Sequence, residues 1–230
     1  MLNAELTLTT LLTALRNVGG GDPHPIFAQG LRYIPPSAKT TVNREAFEEL
    51  SRYGFTQGDG FTPEFEDVLH LIDRPANEFS AYARDTERQI GILVVARNRT
   101  VVSVVCQGET VELTGVSPDT HPADALVTNL PPYQPAPIKP FSLPQDEFKA
   151  QEESDIFDDA PARSREAQEL DAIFRQPHFG VGQLYAGDTT VNYLDLDAGR
   201  VGIALADGYI SVLPGDPKQL SHKLKAATPE

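Results

Sequence analysis

Two acids one residue apart, Asp195-Leu196-Asp197, come nearest to a reactive pair in this chain. On a strand, alternate residues share a face, so both carboxylates could point the same way and hold a divalent cation. The pair runs straight into Ala198-Gly199, however, and acids beside a glycine turn read better as a polar hairpin tip. A hydrolase or metal enzyme would need Asp195 and Asp197 to meet His178 and Cys106 in one cleft. Cys106 is the only thiol and ends the run Val101-Val102-Ser103-Val104-Val105, which reads as a buried structural position. The histidines, His24, His70, His121, His178 and His222, are nowhere three or four residues apart, so no local metal-binding pair exists. Gly19-Gly20-Gly21 follows a helical pattern rather than a strand, and Gly180-Val181-Gly182 lacks the third glycine of a dinucleotide fingerprint. The expectation is no catalytic residue, no metal and no cofactor.

With no reactive centre in view, weight shifts to binding, and composition narrows the partner. The chain has 230 residues, 40% hydrophobic, enough for a sizeable core. Its 19 basic and 33 acidic residues give a net charge of −14. A nucleic-acid binder needs the opposite sign to displace phosphate counterions, and an anionic membrane surface repels such a chain too. A single cysteine suits a reducing compartment, so the expected location is the cytoplasm. Met1 to Asp22 has one basic residue, Arg16, and does not read as a signal peptide. No apolar run approaches the roughly 20 residues of a membrane span.

The elements that would present a binding surface fall in two halves. In the first, residues 1–130, Leu8, Leu11, Leu12 and Leu15 mark one helical face, and Leu6 with Leu8 hints at a short strand leading in. A second helix is expected over 43–53, with Phe47 and Leu50 inward. A third runs over 63–73, with Thr62 as N-cap and Pro63 in the first turn. Strands are expected over 78–83, 90–96, 101–106 and 110–115, joined by turns too short for anything but antiparallel neighbours. A helix opens near Pro122. The second half, residues 164–230, has a helix over 164–175 burying Leu170, Ile173 and Phe174. Strands over 180–186, 190–196, 200–205 and 208–213 follow, then a helix capped by Asp216 and opened by Pro217. The shared grammar suggests an internal duplication. Between the halves, residues 131–163 read as a mobile linker, with a short helix possible over 143–151. It has six prolines in 131–144, and 145–171 holds ten acids against three bases.

Four stretches, in order, resemble the EspG family, chaperones of type VII (ESX) secretion in actinobacteria. They are Glu5-Leu6-Thr7-Leu8 with the leucine helix; Ala96 to Val105 continuing through Val111 to Leu130; Phe141-Ser142-Leu143-Pro144-Gln145-Asp146-Glu147-Phe148; and Phe179-Gly180-Val181-Gly182 with Tyr193-Leu194-Asp195, Gly199-Arg200 and the closing strand-to-helix segment. The resemblance implies a single α+β domain over 1–230, a pseudo-twofold, mostly antiparallel sheet flanked by helical bundles. It implies a non-enzymatic cytoplasmic protein that binds a PE–PPE pair or another helical-hairpin export substrate and shields its apolar tip. The family contact implies the loop Asp85-Thr86-Glu87-Arg88, the sheet face and part of the C-terminal helices, with Tyr82, Arg84 and, on the alternate face, Tyr185 as contact residues. The competing readings are the Asp195/Asp197/His178 enzyme and a structural protein that self-associates through Ile90 to Ala96 or an exposed edge strand.

Overall fold

The computed structural model describes residues 2–19, 21–148 and 164–226. The chain divides into two compact units, Met1–Tyr82 with Arg88–Leu130, and Ala83–Glu87 with Pro131–Glu230.

In the first unit, β1 (Asn3–Thr7) runs directly into α1 (Leu8–Val18). Thr7 ends the strand and caps the helix, its hydroxyl accepting from the Thr10 N–H at 3.2 Å. A 3-10 turn over Pro25–Gly30, α2 (Pro36–Arg52), the small hairpin β2 (Thr56–Gln57) and β3 (Gly60–Phe61), and α3 (Pro63–Asp73) follow. A four-strand meander comes next: β4 (Asn77–Asp85), whose end from Ala83 on belongs to the second unit, β5 (Gln89–Arg97), β6 (Thr100–Gln107) and β7 (Thr110–Val116), closed by α4 (Pro122–Thr128). The strand order β1-β7-β6-β5-β4 brings β1 back against the last strand of the meander. In β5, Ile92, Leu93, Val94 and Val95 are fully buried on both faces, as a continuous apolar run demands.

The second unit repeats the plan. It contains β8 (Phe141–Pro144), α5 (Arg165–Phe174), the meander β9 (His178–Ala186), β10 (Thr189–Leu196), β11 (Gly199–Ala206) and β12 (Tyr209–Pro214), and α6 (Pro217–Lys225). The order is β9-β10-β11-β12-β8, so β8 pairs with the last meander strand as β1 does. The register matches too. Thr7 faces Thr110, and the Leu8 N–H donates to the Glu109 carbonyl at 2.8 Å; Pro144 faces Tyr209, and the Gln145 N–H donates to the Gly208 carbonyl at 2.7 Å. The expected α+β fold of mostly antiparallel strands is the one adopted.

Three expectations need correction. The proline-rich stretch is not a free linker over its described part. β8 lies within it, Pro135 bridges to Arg200, and 145–148 are helical. Proline is tolerated there because Pro140 precedes the strand and Pro144 ends it, where a missing N–H costs no ladder bond. Residues 149–163, including Asp158-Asp159 and the rest of the expected acidic linker and short helix, lie outside the described residues. The second helix starts at Pro36, seven residues before expected, because only Ala46 and Leu50 are buried along it and no apolar stripe marks its first turns. Phe174 is 43% exposed rather than buried, its ring tilted against Phe148 at 5.8 Å between centroids.

Candidate binding hairpin and the buried ion pair

The β4–β5 hairpin carries most of the residues expected to contact a partner. Asp85 ends β4, and its carboxylate accepts from the Glu87 N–H at 2.8 Å, closing an Asx turn that fixes the tip. Arg84, Thr86, Glu87 and Arg88 are exposed, and Asp85 is half-buried. Tyr82 lies below the tip, half-buried against the first unit's core; beside it Ile26, Ile90 and Cys106 help line a cleft of about 120 Å³. Tyr185 is not gathered to the tip. A Cβ on Gly180 would lie 3.3 Å from the Arg84 carbonyl, which sets the start of β9 beside the end of β4. Tyr185 is five residues further along, roughly 17 Å at the rise of a strand. It is half-buried, and its hydroxyl donates to Gln183 Oε1 at 3.0 Å.

The residues proposed for an enzyme do not form a reactive centre. Asp195 was expected at a solvated hairpin tip, yet it is 3% exposed. Arg200, its cross-strand neighbour, holds both carboxylate oxygens, Nε to Oδ1 at 2.6 Å and an Nη to Oδ2 at 2.8 Å. The Arg200 guanidinium lies 3.9 Å above the Tyr193 ring centroid. Burial, the dominant cause, pushes the Tyr193 phenol up to about 12, with Arg200 opposing it and Asp195 and Asp85 adding to it. Asp197 lies in the exposed turn beyond, and His178 is exposed, its Nδ1 2.9 Å from the Gln176 carbonyl. Cys106 is buried among the aliphatic residues of the first unit, and desolvation pushes its thiol up to about 12. His24 and His121 are helix caps, accepting from the N–H groups of Ile26 and Ala123. His24 also sits 2.9 Å from Glu78; that hydrogen bond, against some desolvation, holds the Glu78 carboxyl below its usual value. Among the described residues no three acids, histidines or cysteines are placed to hold a metal ion.

Sequence reasoning missed Arg200 as a buried residue, although the signal was present in the glycines. A Cβ on Gly180 would sit 2.6 Å from Asp195, on Gly182 2.0 Å from the Tyr193 ring, and on Gly215 2.1 Å from the Arg200 side chain. Three glycines therefore supply the space for this cluster, which gives Gly180-Val181-Gly182 a packing role. The Arg200 backbone is a second junction: its N–H donates to Gln134, and its carbonyl accepts from Ala136 and Gly215.

β5 is an interior strand, between β6 and β4, so Ile90 to Ala96 offers no edge for self-association. Among the described residues no helix is long and apolar enough to cross a membrane.

Residues 7–226 match the EspG family. No curated protein sequence matches the chain. Among solved structures, the chain is similar to the Mycobacterium tuberculosis type VII secretion system chaperone EspG5, solved in complex with the PE25–PPE41 dimer. The two are 12% identical, the match covers 97% of this chain and 95% of that one, and the TM-score is 0.67.

Proposed function

The chain belongs to the EspG family, and from that premise we infer that it is a cytoplasmic chaperone of type VII secretion that binds a PE–PPE-type helical pair. The observation that carries the reading is the family match over 7–226, together with a shared fold whose relative was solved with such a pair bound. The activity is binding, not catalysis. Arg200 already occupies the Asp195 carboxylate, and burial keeps the Cys106 thiol protonated.

The β4–β5 hairpin is the contact surface in this reading, with Arg84, Asp85, Thr86, Glu87 and Arg88 at the tip, Tyr82 below it and Tyr185 further along β9. An apolar helix tip left in water costs about 25 cal/mol per Å², and a complementary surface that covers it offsets that exposure. The Asx turn at Asp85 pre-orders the tip and lowers the entropy lost on binding. Co-expression with a PE–PPE pair, followed by affinity capture and sizing, tests the reading. A complex of defined stoichiometry that Arg88→Glu weakens supports it. Failure to capture any such pair overturns it.

A further inference from the structure

A groove of about 520 Å³ lies in the second unit, between the β8–β12 pair and α6. Leu213 and the half-buried Phe141 give it apolar surface, and Ser142 and Ser211 face each other across the two strands. The Ser142 hydroxyl donates to Ser211 at 3.2 Å, which leaves the Ser211 proton free to point outward. Lys218, His222 and Lys223 line the α6 side. Every charged residue on the lining is therefore a cation, in a chain of net charge −14. Among the described residues no carboxylate pairs with Lys218 or Lys223; the nearest acid in sequence, Asp216, is occupied in capping α6 through the Lys218 and Gln219 N–H groups.

The internal repeat gives this groove a built-in comparison. Aligning Thr110 with Tyr209, and Pro122 with Pro217, places Glu5 and Glu112 at the positions of Ser142 and Ser211. Ala123 and Thr128 then take the positions of Lys218 and Lys223. The same place in the first unit therefore carries two carboxylates facing each other and neither lysine. The scaffold does not impose the basic lining; the sequence of the second unit does.

We propose that this groove docks an acidic, extended peptide segment bearing an apolar side chain. The apolar side chain rests against Leu213 and Phe141, the Ser211 hydroxyl donates to one carboxylate, and Lys218 and Lys223 draw in the others. Like-charge repulsion from the rest of this acidic chain favours such a segment where the lining carries the opposite sign. The proposal is independent of the hairpin reading.

The test is fluorescence anisotropy on the full chain with the labelled pentapeptide Glu-Glu-Phe-Glu-Glu, at low and at moderate salt. Saturable binding that weakens with salt is expected, and Lys218→Glu with Lys223→Glu should weaken it on the order of tenfold. Both lysines are on the surface side of α6, and the thermal melt of the double variant verifies that it folds. Arg99→Glu, at a turn of the first unit, should leave binding unchanged. Replacing the phenylalanine of the probe by glycine should also weaken it, since the apolar anchor is lost. Unchanged binding in the lysine variants, equal binding of a Lys-Lys-Phe-Lys-Lys control, or no saturable binding overturns the proposal, whatever the outcome of cargo capture.

Discussion

The β5–β6 and β10–β11 hairpins are the same object filled in two ways. Each has a two-residue turn, and the second register pair behind it is Ala96 with Val101 in one and Asp195 with Arg200 in the other. The first pair packs as plain aliphatic core. The second buries an ion pair, roofs it with Tyr193 and clears space for it with Gly180, Gly182 and Gly215. The antiparallel ladder does not decide between them. Beside the ion pair, the Arg200 backbone holds Gln134 and Ala136, drawing the proline-rich stretch onto β11. Buried pairs add little net stability over apolar residues of the same volume, so the second hairpin is not expected to be firmer than the first for having one.

Breaking one member of the pair should have the largest effect. Arg200→Met leaves Asp195 as an uncompensated buried charge, and denaturant unfolding should show a loss of about 3–5 kcal/mol. Making the second hairpin resemble the first sharpens the comparison: Asp195→Leu with Arg200→Met should be clearly more stable than Arg200→Met alone, since no charge is stranded. A double variant as unstable as the single would mean that the arginine's packing, not its charge, holds the region. Gly182→Ala should cost about 1–3 kcal/mol, because its methyl meets the Tyr193 ring and that ring has little room to yield; the matching change at Gly187, whose Cβ direction is open but whose φ is +55°, should cost about 1 kcal/mol from backbone strain alone.

The smallest effect lies in the first unit. Glu78 has a folded pKa depressed by His24, so its contribution to stability is present above the unfolded carboxylate value and fades as pH falls through the lowered one. In His24→Ala, an NMR titration should show the Glu78 carboxyl moving up toward its ordinary value, and the acid limb of the stability profile should flatten slightly.

The fold was readable where burial imposes a period. Strands β5 and β6 show as near-continuous apolar runs because both faces are covered, and α3 and α6 announce themselves through Thr62-Pro63 and Asp216-Pro217, caps that the structure uses as such. The first turns of α2 left no mark, because they bury nothing. β8 was hidden for a different reason: its partner residues lie far off in the chain, the nearest pair being Pro144 with Tyr209, and local composition spoke only of proline. The β4–β5 hairpin was legible as a turn, though not the partial burial of Tyr82 beneath it. Asp195 was misjudged because an acid before a glycine usually means solvent, and only the register opposite Arg200 shows otherwise. The glycines were the available clue, since three of them converge on residues whose bulk must go somewhere.

The central claim, that cargo is held at the β4–β5 hairpin, is tested most directly by hydrogen exchange of this chain alone and in complex with a PE–PPE pair. Slowed exchange across residues 82–90 on binding is the predicted result. A stable complex in which those amides exchange as before, with protection only elsewhere, would contradict it.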